Sequence, residues 1–415
     1  MKNGGRIVVV AWLVTSLYYF YQYMARSAPA VMMPQLGEAF GLSASGLATL
    51  LGLFYYAYSP FSLVAGVAMD QLGARLTVPI GAAAMGVGAL MFASGDPTLA
   101  SIGRFIQGAG GVFALIGAAF LATTYFPASR AATLIGATQM MGMAGGSAGQ
   151  FAVGPLISRG LPWERFWLIM GVAGLAIAVV LFLLLPRREA ATAKPAGTSS
   201  GWAGRAVTAL ATVFRNPQSW LCGLIAGLIF IPTTIFDMVW GVRFIQEGFD
   251  LDFQTAVMRS AAVPFGWIIG CPLLGWISDR IGRRKPVILA SAAVLLVMLA
   301  LILFGPVREF PPFVLGLVAG IASGGAMLTY AVIKEANRPE HSGTATGVIN
   351  FINFSFSALL GPVFAGLLAG ASAGGERELD HYQIAFQPLV WGVGLAIVLT
   401  FFLKETGRRA KAAGA

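Results

Sequence analysis

Charge is scarce in this chain. Only 11% of its 415 residues are Asp, Glu, Lys or Arg, while 57% are hydrophobic. A soluble domain carries roughly a quarter charged residues because its water-facing surface needs them, so a soluble fold is excluded. Cysteine and histidine are rarer still, two of each. Cys222 and Cys271 fall inside apolar runs and read as small packing residues, which leaves no disulfide framework. His341 and His381 stand in joints between apolar runs, so no metal or catalytic histidine site and no cofactor is expected. No H-E-x-x-H or nucleophile–base arrangement occurs. The glycine clusters at 108–111 and 145–149 follow no strand and lack a Gly-Lys-Ser/Thr ending, so nucleotide binding is rejected. Without a catalytic constellation or an ATP-hydrolysing module, the chain reads as a non-enzyme whose energy source is a gradient.

Long apolar sequence is what the chain has in abundance. Mean hydropathy is +0.78, and runs of about 18 or more mostly apolar residues, enough to span a bilayer, recur from end to end. The 53 glycines suit closely packed membrane helices rather than disorder. Pairs four residues apart, Gly145/Gly149, Gly266/Gly270, Gly320/Gly324 and Gly366/Gly370, read as helix-packing contacts. Lys2 and Arg6 precede an apolar run that continues through Met33 without a small-residue cleavage site, which predicts an uncleaved first span. Twelve spans are expected near 7–33, 44–68, 76–95, 98–125, 132–157 and 164–185, then 218–245, 254–277, 286–305, 311–333, 343–370 and 384–403. They divide into an N-terminal six-helix bundle at 1–186, a linker at 187–217 and a C-terminal six-helix bundle at 218–415. The linker run 194–201 has a flexible Pro/Gly/Ser composition. After it, Trp202, Ala206, Leu210, Val213 and Phe214 recur at helical spacing, which predicts a short helix lying on the membrane surface.

The net charge of +10 resides in the joints. No basic stripe interleaves with aromatics, so nucleic acid is not a partner and the lipid bilayer is. Let the termini and the even-numbered joints share one side: that side then holds 19 Lys and Arg and the other holds 6. Positive charge accumulates on the cytoplasmic side. The expectation is a multi-pass protein of the plasma (inner) membrane with both termini cytoplasmic.

The most specific signal is a motif that occurs twice. Gly66, Asp70, Gly73 and Arg75 close the second span; Gly275, Asp279, Gly282 and Arg284 close the eighth, each 209 residues later. The pattern G-x-x-x-D-x-x-G-x-R/K between spans two and three resembles the signature of the major facilitator superfamily. Arg104-Phe105-Ile106-Gln107-Gly108 is similar to that family's fourth-span motif. The resemblance covers essentially the whole chain. It implies an all-α membrane protein of twelve transmembrane helices in two pseudo-twofold related six-helix bundles, with a small-molecule substrate held between them and moved by alternating access. In the motif, glycines permit a tight turn, while Asp70 and Asp279 can accept hydrogen bonds from helix N-termini or pair with arginines. Contacts there would stabilise one of two conformations, so Asp70, Arg75, Asp279 and Arg284 are assigned to coupling or gating, with Arg104.

An ionisable residue inside a span is costly and marks a functional site by default. Arg26 in the first span and Asp237 in the seventh occupy nearly equivalent positions of the two halves, each about 8 Å outward of its span midpoint by rise per residue. Two roles compete for Arg26: binding an anionic substrate group through its planar fork, or pairing with Asp237 as an outward gate. The first span is similar to that of organophosphate/phosphate antiporters and anion symporters, in which an arginine eight residues before a proline contacts substrate; here Pro34 follows Arg26. The antiporters carry a second arginine in span seven, where this chain reads Ile231-Pro232-Thr233-Thr234, a departure that argues against a phosphate clamp. Asp237 could carry the coupling proton or be an interfacial carboxylate. Tyr19, Gln22, Tyr23 and Arg26 share one helical face, assigned to the cavity. Gln139 of span five and Asn350 and Asn353 of span eleven either line that cavity or bond between helices. Of Tyr18, Tyr21, Tyr55, Tyr56 and Tyr58, some must face other helices or lipid. Arg259 is expected at the membrane interface, and Lys334 and Glu335 at the cytoplasmic end of span ten.

The sequence therefore predicts a monomeric secondary active transporter of a small anionic organic solute, coupled to protons or working by exchange. One rival is a facilitator or symporter for a neutral or zwitterionic solute such as an amino acid or nucleoside. Another is a receptor or scaffold of the same fold that moves nothing.

Overall fold

A computed structural model describes residues 2–126, 128–186, 202–338, 342–372 and 375–407. The side chain of Asp70, His341, the linker run 194–201 and the basic tail from Arg408 lie outside the described residues. Among the described residues all regular structure is helical. The first half comprises α1 (Lys2–Ser27), α2 (Met33–Phe40), α3 (Ala44–Leu72), α4 (Ala74–Phe92), α5 (Pro97–Tyr125), α6 (Ala128–Phe151), α7 (Val153–Ser158) and α8 (Trp163–Leu184). A helix α9 (Trp202–Phe214) precedes the second half. There α10 (Pro217–Ile231) runs through a π-helical stretch (Pro232–Gly241) into α11 (Val242–Phe249) as one span. The spans α12 (Phe253–Ile281) and α13 (Lys285–Phe304) follow. Span ten is α14 (Val314–Ser323) continued by α15 (Ala326–Ala336), and α16 (Ser342–Ala371) and α17 (Leu379–Phe402) complete the half.

Eleven of these segments are long and apolar enough to cross a membrane. The twelfth, α6, carries Gln139, Ser147 and Gln150 among its glycines and packs between α1 and α12, so its polar groups are shielded from lipid. Local chemistry sets the ends. Ser43, Asp96, Asn216 and Asp252 each accept a hydrogen bond from a backbone N–H in the first turn of the next helix, which satisfies one of the orphan donors there. Pro97 and Pro217 sit at the first helical position, where a missing N–H costs nothing. Span twelve starts ahead of its apolar run because Glu378 and His381 form a capping box. Span ten starts at Val314, after Pro311 and Pro312, which lack the amide donors a helix needs.

The doubled motif has a conformational cause. Gly73 (φ 74°) and Gly282 (φ 72°) make the turns α3–α4 and α12–α13 in the left-handed region, where a Cβ is strained. Small residues also set the helix approach. A Cβ at Gly145 would fall 2.0 Å from the Phe20 carbonyl oxygen, and one at Gly266 or Gly270 would fall 2.3 or 2.2 Å from the Leu317 or Ile321 carbonyl oxygens. The pair Gly366/Gly370 does not pack: a Cβ there meets open space, on a part of α16 where Val363 and Leu367 are exposed.

The two halves meet along two seams. On one, Ser59 of α3 donates to the Phe351 carbonyl and lies 2.8 Å from the Ser355 hydroxyl of α16, and Ser62 donates to the Gly347 carbonyl. On the other, Ser147 of α6 donates to the Ala261 carbonyl of α12 at 3.0 Å, and Gly154 packs on Val257. The first seam lies toward the face that carries the termini, the second toward the far face. Arg26, between the two seams, is buried.

Candidate substrate and coupling sites

The C-terminal turns of α1 carry Tyr19, Tyr23 and Arg26 on one stripe, aimed at the junction of the halves. Arg26 is 3% exposed. Its guanidinium carbon lies 4.3 Å from the ring centre of Tyr23, 4.9 Å from those of Phe54 and Tyr58, 5.1 Å from Phe354 and 5.5 Å from Tyr55. Phe354 comes from α16 in the second half; the other rings come from α1 and α3. None of the three guanidinium nitrogens makes a well-directed hydrogen bond, though the Tyr58 hydroxyl is close enough to interact with the guanidinium. Ring faces attract a cation, but they leave every N–H donor unused. A buried cation with unused donors is a high-energy arrangement that an anion relieves.

Polar groups extend the cage. Tyr19 donates to the Gln139 amide oxygen at 3.2 Å. Tyr330 of α15 donates to the Asn350 oxygen at 2.7 Å and accepts from the Asn353 amide at 3.1 Å. Asn353 keeps an unbonded oxygen, and the Tyr330 hydroxyl lies within the field of Arg26, Tyr23 and Tyr58. The structure thus brings together Tyr19, Tyr23, Arg26, Asn350 and Asn353, with Gln139 held by Tyr19. Gln22 turns aside toward Gly111 of α5, beside Phe54, with neither amide atom bonded. Tyr18 donates to the Gly110 carbonyl and Tyr21 packs on Gly174 of α8, so these two tyrosines serve helix packing. Phe54, Phe354 and Tyr330 escaped sequence reasoning. Phenylalanine carries no polar signal in an apolar span, and Tyr330 stands alone in its segment.

Arg26 and Asp237 do not pair. The Asp237 carboxyl is carried by the π-helical stretch and faces α12, where Oδ1 accepts from Ser260 at 2.8 Å and Oδ2 has no partner. Arg104 is buried in the first half, over the rings of Phe54, Phe92 and Trp167. It donates to the Gln107 amide oxygen at 2.8 Å and to the Ala25 carbonyl at 3.1 Å. That bond satisfies an orphan carbonyl at the end of α1, one residue before Arg26, and sets a cation at the negative end of the helix.

At the terminal face the second copy of the motif forms a charge network. Arg284 donates to Asp279 at 2.7 Å, to Glu335 at 3.0 Å and to the Ser278 hydroxyl at 3.0 Å. Glu405, after α17, accepts the backbone N–H groups of Arg284 and Lys285. Burial pushes the Arg284 guanidinium down, but Glu335 and Asp279 together hold it above its ordinary value. These partners belong to the second half, so the network ties that half's own helix ends. In the first half Arg75 donates to the Leu185 carbonyl and lies over the Phe182 ring. Arg259 is 8% exposed and donates to the Phe310 carbonyl at 3.0 Å, in the turn before α14.

Comparison with known proteins gives the setting. The family described as Major Facilitator Superfamily matches residues 15–362. The membrane sensor protein UhpC of Salmonella typhimurium is 25% identical, with 97% of this chain and 92% of that protein covered. A hexuronate transporter of Bacillus subtilis is 23% identical over 83% of this chain and 84% of its own length. Among solved structures, a bacterial homologue of the human lysosomal transporter Spinster in an inward-facing, unoccupied conformation aligns with TM-score 0.71 at 15% identity. That alignment covers 96% of this chain and 97% of that one. The E. coli fucose:proton symporter FucP aligns with TM-score 0.67 at 16% identity, covering 96% and 99%.

Proposed function

The chain belongs to the Major Facilitator Superfamily, as a membrane transporter and not an enzyme, and we propose that it is a secondary active transporter of a small organic anion. The observation that carries this reading is the Arg26 guanidinium, enclosed by rings from both halves with no nitrogen in a well-directed hydrogen bond. A planar guanidinium presents paired donors that match a carboxylate or phosphate. A neutral solute would leave the buried charge uncompensated. The hexuronate transporter among the relatives supports a carboxylate as the anionic group.

Transport would follow alternate opening of the two seams, the α3–α16 seam toward the terminal face and the α6–α12 seam toward the far face. One copy supplies both halves of the site, which favours a monomer. The excess of Lys and Arg on the terminal face supports a plasma-membrane protein with cytoplasmic termini. Asp237, an ionisable group inside span seven with a free carboxyl oxygen, is the candidate for proton coupling. A second reading is favoured by one relative, the membrane sensor protein UhpC: ligand binding that signals without flux.

Proteoliposomes loaded with hexuronates, sugar phosphates, nucleosides or amino acids test both readings. Exchange of carboxylate or phosphate solutes, weakened in Arg26→Lys, is the expected result. Exchange confined to neutral or zwitterionic solutes would overturn the anion reading. Binding without exchange would favour the sensor.

A further inference from the structure

Asp237 lines a cavity that is separate from the aromatic cage around Arg26. The cavity, about 40 Å³ of space open to water, lies within the second half. Asp237 and Ser260 form its inner end, with Val263 one turn further along α12, and Ile302, Val307 and Pro312 line it toward the far face. Those last two residues belong to the turn before α14, on the far face. Arg259 stands on the same wall. None of the five rings around Arg26 lines this space. The Asp237 side chain is 3% exposed, and its Oδ2, without a hydrogen-bond partner, belongs to the group that closes the inner end. Gly241 keeps that end open: a Cβ there would stand 2.6 Å from the Ser260 hydroxyl and 3.1 Å from Asp237 Oδ1.

We infer that Asp237 takes up its coupling proton from the far face through this passage, by a route inside the second half that does not cross the substrate site. The inference rests on the reading of the protein as a proton-coupled transporter. Few charged groups come from the elements packed against the π-helical stretch. From α12 comes Arg259, and from α11 come Arg243 and Glu247, which pair with each other at 2.9 Å. Where α17 packs Phe386 on Phe236 and Trp240, Arg377 lies 5.7 Å over the Trp240 ring and also pairs with Glu247. From α1 comes Arg26, held among the rings. From α3 comes the Tyr55 hydroxyl, which donates to the Thr234 carbonyl. The 3₁₀ turn Ala28–Val31 and α16 contain no ionisable residue, and the only one in α10 is Cys222. Ser260 is thus the one side chain bonded to the carboxyl. A metal cation would need about six or more oxygen ligands, and the Arg259 charge on the same wall opposes one. A proton needs a single basic oxygen. It adds to Oδ2 from a water in the passage, Oδ1 goes on accepting the Ser260 hydroxyl, and release returns the proton to water.

Charge displacement on a solid-supported membrane tests this without any substrate. An acid jump on the far face of the wild-type protein gives a transient current. Asp237→Asn abolishes it, and Ile302→Phe or Val307→Phe, which plug the passage, do the same. Ile302→Ala, which widens the passage, speeds it, and provides the test if the plugged variants fail to fold. Gly366→Ala, which faces open space on α16, leaves it intact. A transient that persists in Asp237→Asn, or is indifferent to all three passage variants, overturns the inference. So does a transient driven by sodium. The assay contains no substrate, so failure of the anion reading would leave the current untouched.

Discussion

Replacing Arg26 by methionine separates two effects of opposite sign. In the unliganded protein the guanidinium is buried, and none of its nitrogens makes a well-directed hydrogen bond. Burying a cation costs several kcal/mol even after the protein relaxes. Each well-placed ring returns about 0.5–2 kcal/mol, and only Tyr23, Phe54 and Tyr58 lie within 5 Å. Methionine fills most of the volume without the charge. Exchanging buried charge for apolar packing is neutral or stabilising by about 1–4 kcal/mol, so the unliganded variant should melt at the wild-type temperature or above it. With an organic anion bound the sign reverses. Two charge-assisted hydrogen bonds contribute about 1.5–3 kcal/mol each, and losing both weakens binding by roughly 10²–10⁴-fold. Thermal unfolding in detergent, with and without a carboxylate ligand, reads both effects in one experiment. A variant that is less stable without ligand, yet is shifted by ligand as the wild type is, would refute the reasoning and make Arg26 a structural residue.

The remaining predictions concern the seams and the helix ends. Oxidising a Ser59→Cys/Ser355→Cys variant, whose parent oxygens are 2.8 Å apart, should join α3 to α16 and stop exchange until reductant is added; full exchange in the cross-linked protein would refute that seam as a gate. Gly145→Ala forces backbone apart at Phe20 and should cost about 1–3 kcal/mol in thermal unfolding, with exchange lost because α1 carries Arg26. Gly366→Ala, facing open space, should be neutral. Arg284→Ala leaves Glu335, whose side chain is 22% exposed, with the Thr406 hydroxyl but no cation, and should destabilise by about 1–3 kcal/mol, an effect that added salt reduces. The hydrogen bonds from the Thr255 side chain and backbone hold the Asp252 carboxyl below its ordinary range. This cap is therefore intact above the ordinary aspartate value and lost as pH falls through the lowered one. Exchange of the Thr255 amide should accelerate only in acid, and Asp252→Asn should remove that dependence.

The seams and the sites respond to different forces. Serine hydroxyls bonded to backbone carbonyls, and glycines that let backbones touch, hold α3 to α16 and α6 to α12 without large apolar side chains. Such contacts break and re-form at low cost, as the proposed alternate opening of the seams requires. Arg26 is carried by α1 while Phe354 comes from across the junction, so opening either seam changes how completely the cation is enclosed. An anion that neutralises Arg26 would therefore bear on both closures at once.

Much was determined by the sequence alone. Apolar run lengths placed the spans because a bilayer leaves the backbone no option but to satisfy itself within a helix. The 209-residue recurrence of Gly73 and Arg75 as Gly282 and Arg284 marked equivalent turns, since both glycines take a positive φ that other residues avoid. The stripe Tyr19, Tyr23 and Arg26 was legible from helical periodicity, and so was the strangeness of Asp237 in an apolar span. Direction was not legible. Matched depth made Arg26 and Asp237 candidates for a pair, but depth along a helix says nothing about rotation around it. In the folded chain Arg26 turns to α3 and α16, while Asp237, carried by a widened π-helical turn, turns to Ser260 on α12. The phenylalanines that complete the cage, and the passage behind Asp237, exist only where helices distant in sequence meet. The tertiary structure alone decided which buried charge received rings and which received a route to water.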